Sequence, residues 1–447
     1  MKILNSKIHY FNPGHESAVL ADNPYYTPPA SVCKIMADLA LLPAWYGKEN
    51  DCVIINETTE ASRFLLSLPQ EIRPSVIPVA PFVGTHLQSI VGVDLQSAPL
   101  HAPFVDVDLQ SASFQFLEAA PWGLSPHSIR VFETLINSTN LKSLKPLTPQ
   151  SILIPTWNKT HKTLTSRQTA LTCLSTIRSL LPEHFERLTL PRFCSSIAEI
   201  KQFMTDHPPP YLLKTPYSCS GRGLFRLQSR DLDLQASRWI EGAINKQGIV
   251  SIEQALDKVL DFAMEFVSDG EGHIRFEGLA VFSTLSKGAY AGNLLGRQDQ
   301  LERHLTTFIP ASHLREIQET VTSVLTEVFS HDYRGYIGVD MLIYRHNHNF
   351  AIHPCIEINV RYTMGLVALQ ISDKWVHPSS HGQLIINCHR VANKTCNEHL
   401  RMKTKYPLQL SGSKIRSGYL SLCPISSETQ YHAYMLIEKD DEHENLR

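Results

Sequence analysis

The sequence lacks the features that mark several large classes of protein. No two of its nine cysteines are spaced as Cys-x-x-Cys, which argues against structural zinc and against a disulfide framework. No apolar run is long enough to span a bilayer, and residues 1–6 lack the apolar core of a signal peptide. A formal net charge of −2 gives no support for a nucleic-acid or anionic-membrane partner. We therefore expect a protein of the reducing cytoplasm that binds neither nucleic acid nor membranes.

What the sequence does contain is typical of a globular protein with more than one domain. Its 447 residues, 43% of them hydrophobic, are enough for two or three domains with substantial cores. Strands that alternate with helices predict a parallel sheet in an α/β domain over residues 1–185. Residues 186–380 have a mixed α+β pattern and carry the candidate chemistry. Residues 381–447 are predicted to form a C-terminal extension with short strands and a charged tail.

The most informative stretch of the chain alternates strictly between apolar and polar side chains over residues 356–361. Because successive side chains of a strand point to opposite faces, the polar ones share a face: Glu357, Asn359 and Arg361. A carboxylate and a carboxamide offer hard oxygen ligands to Mg²⁺, and the neighbouring guanidinium suits phosphate oxygens. We therefore predict that this face carries the chemistry.

The segment before it strengthens this prediction. Residues 335–344 form a predicted strand, and a hairpin would place that strand beside residues 356–362. Asp340 interrupts an apolar run, and a lone carboxylate in a buried strand is costly unless it is paired or bound to metal. Two adjacent strands would then supply three metal ligands. The same pattern also fits a solvated edge-strand Asp and a Glu–Arg pair across one face.

A second candidate site follows the apolar strand that ends near Lys214. Small residues make up the loop over 218–223, which includes Ser220, Gly221 and Gly223. Such a loop lets backbone N–H groups approach an anion, and the ammonium group beside it adds a positive charge. The lysine precedes the glycines, so the pattern is neither a Walker A motif nor a dinucleotide fingerprint. Taken alone, the stretch also fits a glycine-rich hairpin turn.

A third stretch suits the base and ribose of a nucleotide. An apolar strand over residues 248–252 runs into Glu253, which could accept a hydrogen bond from an adenine amino group. Asp257 or Asp261 could hold ribose hydroxyls. Glu253 fits equally well as an ordinary carboxylate at the end of a strand.

In combination, these stretches resemble the ATP-grasp superfamily over roughly residues 186–370. The resemblance implies an α/β, Rossmann-like pre-ATP-grasp domain followed by a two-subdomain ATP-grasp fold of α+β type. It also implies that ATP and Mg²⁺ are the cofactors and that the nucleotide is clamped between the two subdomains.

The resemblance assigns roles to individual residues. It implies that Lys214 contacts the α- and β-phosphates and that Arg361 lies beside the γ-phosphate and the reaction intermediate. It implies a set of Mg²⁺ ligands: Asp340, Glu357 and Asn359. On the adenine side it implies Glu253 and a backbone contact at Leu256. Arg167 stands where many members have a second phosphate-binding lysine, although the two side chains are different sets of donors.

Members of the superfamily usually activate a carboxylate as an acyl phosphate, which an amine, thiol or other nucleophile then attacks. The resemblance therefore implies an ATP-dependent ligase with small-molecule carboxylate and amine substrates. A small-molecule kinase and a nucleotide-binding module without turnover are the alternatives. The sequence is compatible with a homo-oligomer but does not establish one.

The candidate substrate-binding residues each have an alternative structural interpretation. Lys287 and Arg297 flank residues 288–296, where one of them could bind a carboxylate or the transferred phosphoryl group, or both could be solvated. His15 lies in the loop after the first strand, and ligands of α/β sheets bind at the carboxyl ends of strands. His15 also fits as a turn residue.

Overall fold

The computed structural model describes residues 6–80, 117–137, 152–185, 188–218, 221, 223–284 and 290–440. The strands in these ranges are β1 (Ser6–Tyr10), β2 (Cys52–Ile54), β3 (Ile77–Val79), β4 (Leu117–Pro121), β5 (Ile152–Leu153), β6 (Arg192–Cys194), β7 (Tyr211–Lys214), β8 (Leu224–Leu227), β9 (Val250–Gln254), β10 (Lys258–Asp269), β11 (Ile274–Thr284), β12 (Tyr290–Leu295), β13 (Arg334–His346), β14 (Asn349–Asn359), β15 (Ser380–Cys388), β16 (Gln409–Ser411), β17 (Lys414–Ser421) and β18 (Tyr431–Lys439).

The α-helices in the same ranges are α1 (His15–Ala21), α2 (Ala30–Asp38), α3 (Thr58–Ser67), α4 (Pro126–Asn137), α5 (Lys159–Thr165), α6 (Arg167–Leu180), α7 (Pro182–Phe185), α8 (Ile197–Asp206), α9 (Leu234–Gln247), α10 (Gln298–Thr306), α11 (Ala311–Phe329), α12 (Met364–Trp375) and α13 (Lys394–Lys405). Two short 3₁₀ helices cover Leu42–Trp45 and Gln70–Ile72. In the part of the chain that the structure describes, no helix combines the length and the apolar character that crossing a membrane requires.

The chain forms two compact units. Unit 1 contains residues 1–157, 294–297 and 367–447, and unit 2 contains residues 158–293 and 298–366. The domain boundaries predicted at residues 185 and 380 stay a prediction, because compact units and functional domains need not coincide.

Unit 1 contains the parallel sheet that the alternation of strands and helices predicts. Its five strands lie in the order β3-β2-β1-β4-β5, and every pair is parallel. Apolar side chains from strands and helices form the core, among them Ile8, Val32, Leu117 and Phe132. The chain builds outward from β1 on one side and then crosses to β4 on the other. The strand order therefore reverses between β1 and β4.

The C-terminal part of unit 1 forms a second, antiparallel arrangement of strands in the order β15-β18-β17-β16. It packs against the N-terminal part of the same unit through tryptophans. The indole N–H of Trp45 donates to Leu422 O at 2.6 Å, and that of Trp375 donates to Trp45 O at 2.7 Å. Trp45 is fully buried, so these hydrogen bonds lie in the core of the unit.

Unit 2 contains an antiparallel sheet with the order β14-β13-β10-β11-β12. The predicted hairpin is present, because β13 and β14 are joined by Asn347 and His348. Both residues have positive φ, at 48° and 70°, as a tight two-residue hairpin turn requires. Helix α6 packs against β14, and α11 packs against α6, β10 and β11.

A smaller antiparallel sheet in unit 2 has the order β6-β9-β7-β8. Helices α8 and α9 supply part of its apolar core, including Phe203 and Ile240. Helix α8 is capped at its start, because the side chain of Ser196 accepts a hydrogen bond from Glu199 N at 3.3 Å. This sheet positions Lys214 and Glu253 on neighbouring strands.

Candidate active site

Arg167 is the first residue of α6, and its guanidinium connects two other parts of unit 2. One terminal nitrogen donates to Thr215 O at 2.6 Å and to Ser218 Oγ at 2.7 Å. The other donates to Glu357 Oε1 at 2.7 Å. The side chain is only 8% exposed, so this ion pair is largely shielded from water. Arg167 therefore links the start of the small-residue loop to a predicted metal ligand.

Lys214 and Glu253 form a second ion pair nearby. They lie on adjacent antiparallel strands, with Lys214 at the last position of β7, as predicted. Their side chains meet at 2.6 Å, and they are 6% and 13% exposed. The lysine that was expected to hold phosphates and the glutamate that was expected to face adenine are thus each other's partners here.

One cleft contains both ion-paired groups. It is lined by Arg167, Lys214 and Glu253, among other residues. Apolar side chains form much of the rest of its lining, which also includes Ser251 and Cys355: Ala170, Leu171, Leu174, Pro191, Phe193 and Ile356. Hydrophobic side chains and two cations line the same cleft, so it could contact both an apolar and an anionic part of one ligand.

The predicted metal ligands are neighbours on β13 and β14. Asp340 lies directly opposite Glu357 in the strand register. Asn359 Nδ2 donates to Asp340 Oδ2 at 3.1 Å, and Arg361 donates to Asn359 Oδ1 at 2.7 Å. Because Glu357 also accepts from Arg167, this row of polar groups is continuous with the cleft.

Arg361 itself does not lie in the strand, so its predicted place in the alternating row is wrong. β14 ends at Asn359 and α12 begins at Met364, so residues 360–363 form a bend between the strand and the helix. Thr363 Oγ1 accepts a hydrogen bond from Leu366 N at 2.9 Å, which ties the bend to the first turn of that helix. From the bend, the Arg361 side chain reaches back to Asn359.

The electrostatics of the row are those of carboxylates in close proximity. Burial raises the pKa of Asp340 to about 7, and the neighbouring Glu357 carboxylate adds to the rise. The Arg361 guanidinium and the Asn359 amide act in the opposite direction. A divalent cation would relieve this repulsion, and oxygen ligands of this kind suit Mg²⁺.

A third carboxyl group, not among the predicted site residues, lies beside this row. Glu265 on β10 is 1% exposed, and Thr363 Oγ1 donates to its Oε1 at 2.7 Å. Burial raises the pKa of Glu265 to about 8, with Asp340 contributing to the rise. The signal was available, since Glu265 is a lone carboxylate in an apolar run, as Asp340 is.

The remaining nucleotide-side predictions fall at different places. Asp261 lies on β10 near Asp340, where it accepts from Lys258 Nζ at 2.5 Å and from Thr284 Oγ1 at 3.0 Å. Leu256 lies between β9 and β10, and its carbonyl accepts from Lys258 N at 3.0 Å.

In the small-residue loop, Gly221 and Gly223 are described, and Gly223 O accepts from Thr215 N at 3.0 Å. Ser220 lies outside the described residues.

The three substrate predictions fall outside the described part of unit 2. Lys287 lies outside the described residues. Arg297 belongs to unit 1, where its guanidinium donates to Pro378 O at 3.3 Å. His15 also belongs to unit 1; it is 2% exposed, and its Nε2 lies 2.9 Å from Leu124 O. Their roles stay predictions.

Comparison with known proteins gives a likeness of structure only. No family model and no curated protein sequence matches the chain. A biotin carboxylase from Campylobacter jejuni, solved as a complex with β-γ-ATP, aligns with a TM-score of 0.50 at 10% identity, over 97% of this chain and 88% of that one. An N5-carboxyaminoimidazole synthetase from Staphylococcus aureus, solved with ADP, aligns with a TM-score of 0.46 at 10% identity, over 99% and 95%. The first likeness confirms the predicted fold.

Proposed function

We propose that this chain, which has the ATP-grasp fold, is an ATP-dependent ligase that activates a carboxylate as an acyl phosphate for attack by an amine or another nucleophile. The observation that carries the proposal is that Arg167 and Lys214 line one cleft and that Arg167 is ion-paired with Glu357, which begins the row continued by Asp340, Asn359 and Arg361. This set offers cations for phosphate oxygens beside oxygen ligands for a metal, which is what phosphoryl transfer from MgATP requires.

The cleft suits each part of the nucleotide. Leu171, Leu174 and Phe193 would contact the base, and Glu253 would accept from its amino group. Asp261 would hold ribose hydroxyls, and the backbone at Leu256 would contact the base. Lys214 and Arg167 would donate to the phosphate oxygens, Arg167 through a planar fork that can grip two oxygens at once.

The metal ligands would be Asp340, Glu357 and Asn359. Their fit to Mg²⁺ rests on the donor set: two carboxylates opposed across a strand pair, with a carboxamide oxygen beside them. The raised pKa of Asp340 fits the assignment, because burial and the Glu357 carboxylate disfavour its charged form and a bound cation would favour it. When bound, Mg²⁺ would neutralise negative charge on the phosphate oxygens.

Both cations of the cleft already have carboxylate partners, and this gives the site a particular way of accepting a ligand. Phosphate oxygens would replace Glu253 as the partner of Lys214 and Glu357 as the partner of Arg167. The released Glu357 would then be available to a metal, and the released Glu253 to the base. Nucleotide and metal would therefore bind cooperatively. The phosphate would release Glu357 from Arg167, and the metal would compensate the charge of the released carboxylate.

Arg361 would act at the reacting end of the nucleotide. Its guanidinium lies in a bend beside the metal-ligand row, where negative charge on the transferred phosphoryl group would develop. A preorganised donor at such a point contributes about 2.7–4 kcal/mol to lowering the barrier. The substrates are small molecules bearing a carboxylate and a nucleophilic amine or equivalent group, and the site of action is the cytoplasm.

The experiment that tests the proposal is coupled release of ADP and phosphate from MgATP, with a pooled panel of small carboxylic acids, amino acids and amines. Mass spectrometry of the same mixtures identifies any condensed product. Release of ADP that requires both a carboxylate and an amine, with a condensed product, supports the ligase. ADP with a stable phosphorylated product instead points to a kinase, and absence of turnover in every mixture that binds MgATP points to a binding module.

A further inference from the structure

Glu265 is a buried acid that the proposed chemistry does not use directly. Its side chain is 1% exposed, and only one of its oxygens has a hydrogen-bond partner among the described residues. Oε1 accepts from Thr363 Oγ1, whereas the buried Oε2 has no such partner. A carboxyl group that is buried with half of its acceptors unused destabilises a fold relative to an apolar residue of the same size. Packing alone therefore does not explain a glutamate here.

Two glycines form a cradle around this carboxyl group. Gly338 lies opposite Glu265 in the pairing of β10 with β13, and a Cβ there would lie 2.9 Å from Oε2. A Cβ at Gly365 would overlap Oε1. Any larger residue at either glycine would push the carboxyl group out of its position. Backbone from two separate elements thus makes room for this one side chain.

The hydrogen bond of Glu265 leads to the bend that carries Arg361. Thr363 donates to the carboxyl group and accepts from Leu366 N at 2.9 Å, so the same hydroxyl joins Glu265 to the first turn of α12. Arg361 lies two residues before Thr363, and its guanidinium reaches Tyr362 O at 3.0 Å and Asn359. A fixed Thr363 therefore limits the directions in which Arg361 can point.

We infer that Glu265 is a positioning residue: its carboxyl group holds Thr363 at the start of α12 and so fixes the bend from which Arg361 meets the reacting phosphoryl group. The inference rests on the proposed function for its catalytic consequence, but the link between Glu265, Thr363 and α12 stands on the contacts alone. A small displacement of Arg361 would slow the chemical step more than it would weaken nucleotide binding.

Matched pairs of variants separate the hydrogen bond from the packing. Thr363→Val removes the hydroxyl and keeps the shape, whereas Thr363→Ser keeps the hydroxyl. Glu265→Met removes both oxygens, whereas Glu265→Gln keeps an acceptor for Thr363. We expect kcat to fall about 10–100-fold in the Val and Met variants, with the KM for ATP changed less than about threefold, and to be largely retained in the Ser and Gln variants.

A second measurement does not depend on turnover. Hydrogen exchange of the peptide containing Leu366, followed by mass spectrometry, reports whether the first turn of α12 is held. We expect faster exchange there in Thr363→Val and Glu265→Met than in their Ser and Gln partners, at equal resistance of the whole protein to urea. Unchanged exchange in all four variants would overturn the positioning role, whether or not the wild-type protein turns over ATP.

The two failures are therefore distinguishable. A wild-type protein without nucleotide turnover contradicts the proposed function and leaves the exchange result to decide the role of Glu265. A wild-type protein with turnover, whose Val and Met variants keep their kcat, contradicts the role of Glu265 and leaves the proposed function intact.

Discussion

Each unit of this protein contains a cluster of buried polar side chains, and the two clusters differ in the kind of partner their members have. In the cleft of unit 2, Arg167 is paired with Glu357 and Lys214 with Glu253, side chain to side chain. In unit 1, Asn12 exchanges two hydrogen bonds with the backbone of Gly123, at 2.8 and 3.1 Å. His15 reaches the carbonyl of Leu124 in the same way.

This difference distinguishes polar groups that could bind a ligand from polar groups that hold the fold together. The unit 1 cluster lies after β1 and β4, where the strand order reverses, and such places bind ligands in many α/β sheets. Its polar atoms are nevertheless used by backbone groups of the fold, which a ligand cannot displace without opening the structure. The unit 2 pairs join groups that can each take a new partner of the right charge. We therefore expect the proposed chemistry in unit 2, and we expect the unit 1 cluster to stabilise the fold.

The variant with the largest expected effect tests the role of the unit 2 cleft. Glu357→Gln removes the charge that meets both Arg167 and the metal, so we expect nucleotide turnover to fall about 10²–10³-fold. Steady-state ADP release at saturating Mg²⁺ is the measurement. Glu319→Gln, on the exposed face of α11, is the matched control and should keep wild-type turnover. Normal turnover in the Glu357 variant would remove the metal assignment.

Lys214→Met tests whether the Lys214–Glu253 pair contributes to nucleotide binding separately from its contribution to stability. The change leaves Glu253 buried without a partner, so we expect the free energy of unfolding to fall by about 3 kcal/mol and nucleotide affinity to fall about tenfold or more. Adding Glu253→Gln should restore much of the stability but none of the affinity. Urea unfolding and calorimetric titration with nucleotide measure the two effects, and a double variant that recovers both would contradict the phosphate role.

Asn12→Asp tests whether the unit 1 cluster contributes to stability alone. It replaces the donor to Gly123 O with an oxygen, so we expect unfolding free energy to fall by about 2 kcal/mol. The kcat and the KM for ATP should stay at wild-type values at a temperature where the variant is folded. Asn23→Asp, in an exposed loop, is the control. A loss of turnover without a loss of stability would show that the unit 1 cluster takes part in the reaction.

The smallest effect concerns pH. Asp340 has a folded-state pKa raised to about 7, above its ordinary value, so its contribution to stability is fully present below about pH 4 and is lost as pH rises through about 7. A rise of about three pKa units sets an upper limit of about 4 kcal/mol. Because Asp340 is partly exposed and solvent screens its charge, we expect Asp340→Asn to flatten the fall in unfolding free energy across this window by only about 1 kcal/mol. Urea unfolding without metal at several pH values measures it. Parallel curves for both proteins would contradict the assignment.

Much of the fold could be predicted because it depends on local sequence patterns. The alternation over residues 356–361, with Asp340 in an apolar strand, predicted that two strands would bring three oxygen ligands together, and the register of β13 and β14 does so. The parallel sheet followed from the order of strands and helices. β15 and α13 were missed; α13 buries little besides Met402, so its apolar stripe is too thin to indicate a helix.

The pairings at the site could not be predicted, because they join residues that are far apart in sequence. Arg167 and Glu357 are 190 positions apart, and Glu265 and Thr363 are 98 apart. Nothing local to either residue specifies its partner. The pattern could identify Lys214 and Glu253 as candidate ligands of a nucleotide, but it could not show that they would pair with each other when their strands became neighbours.

The tryptophan contacts of unit 1 have a consequence for how the chain folds as it is made. Trp45 is held by partners at Trp375 and at Leu422, the latter 377 positions later, whereas most of unit 2 lies between those points in the sequence. The N-terminal segment therefore has to wait for the ribosome to deliver residues 367–440, while unit 2 already has nearly all of its own residues. Synthesis of unit 1 begins before that of unit 2 and is completed after it, so the buried surface of the N-terminal segment has to be protected from aggregation in the interval.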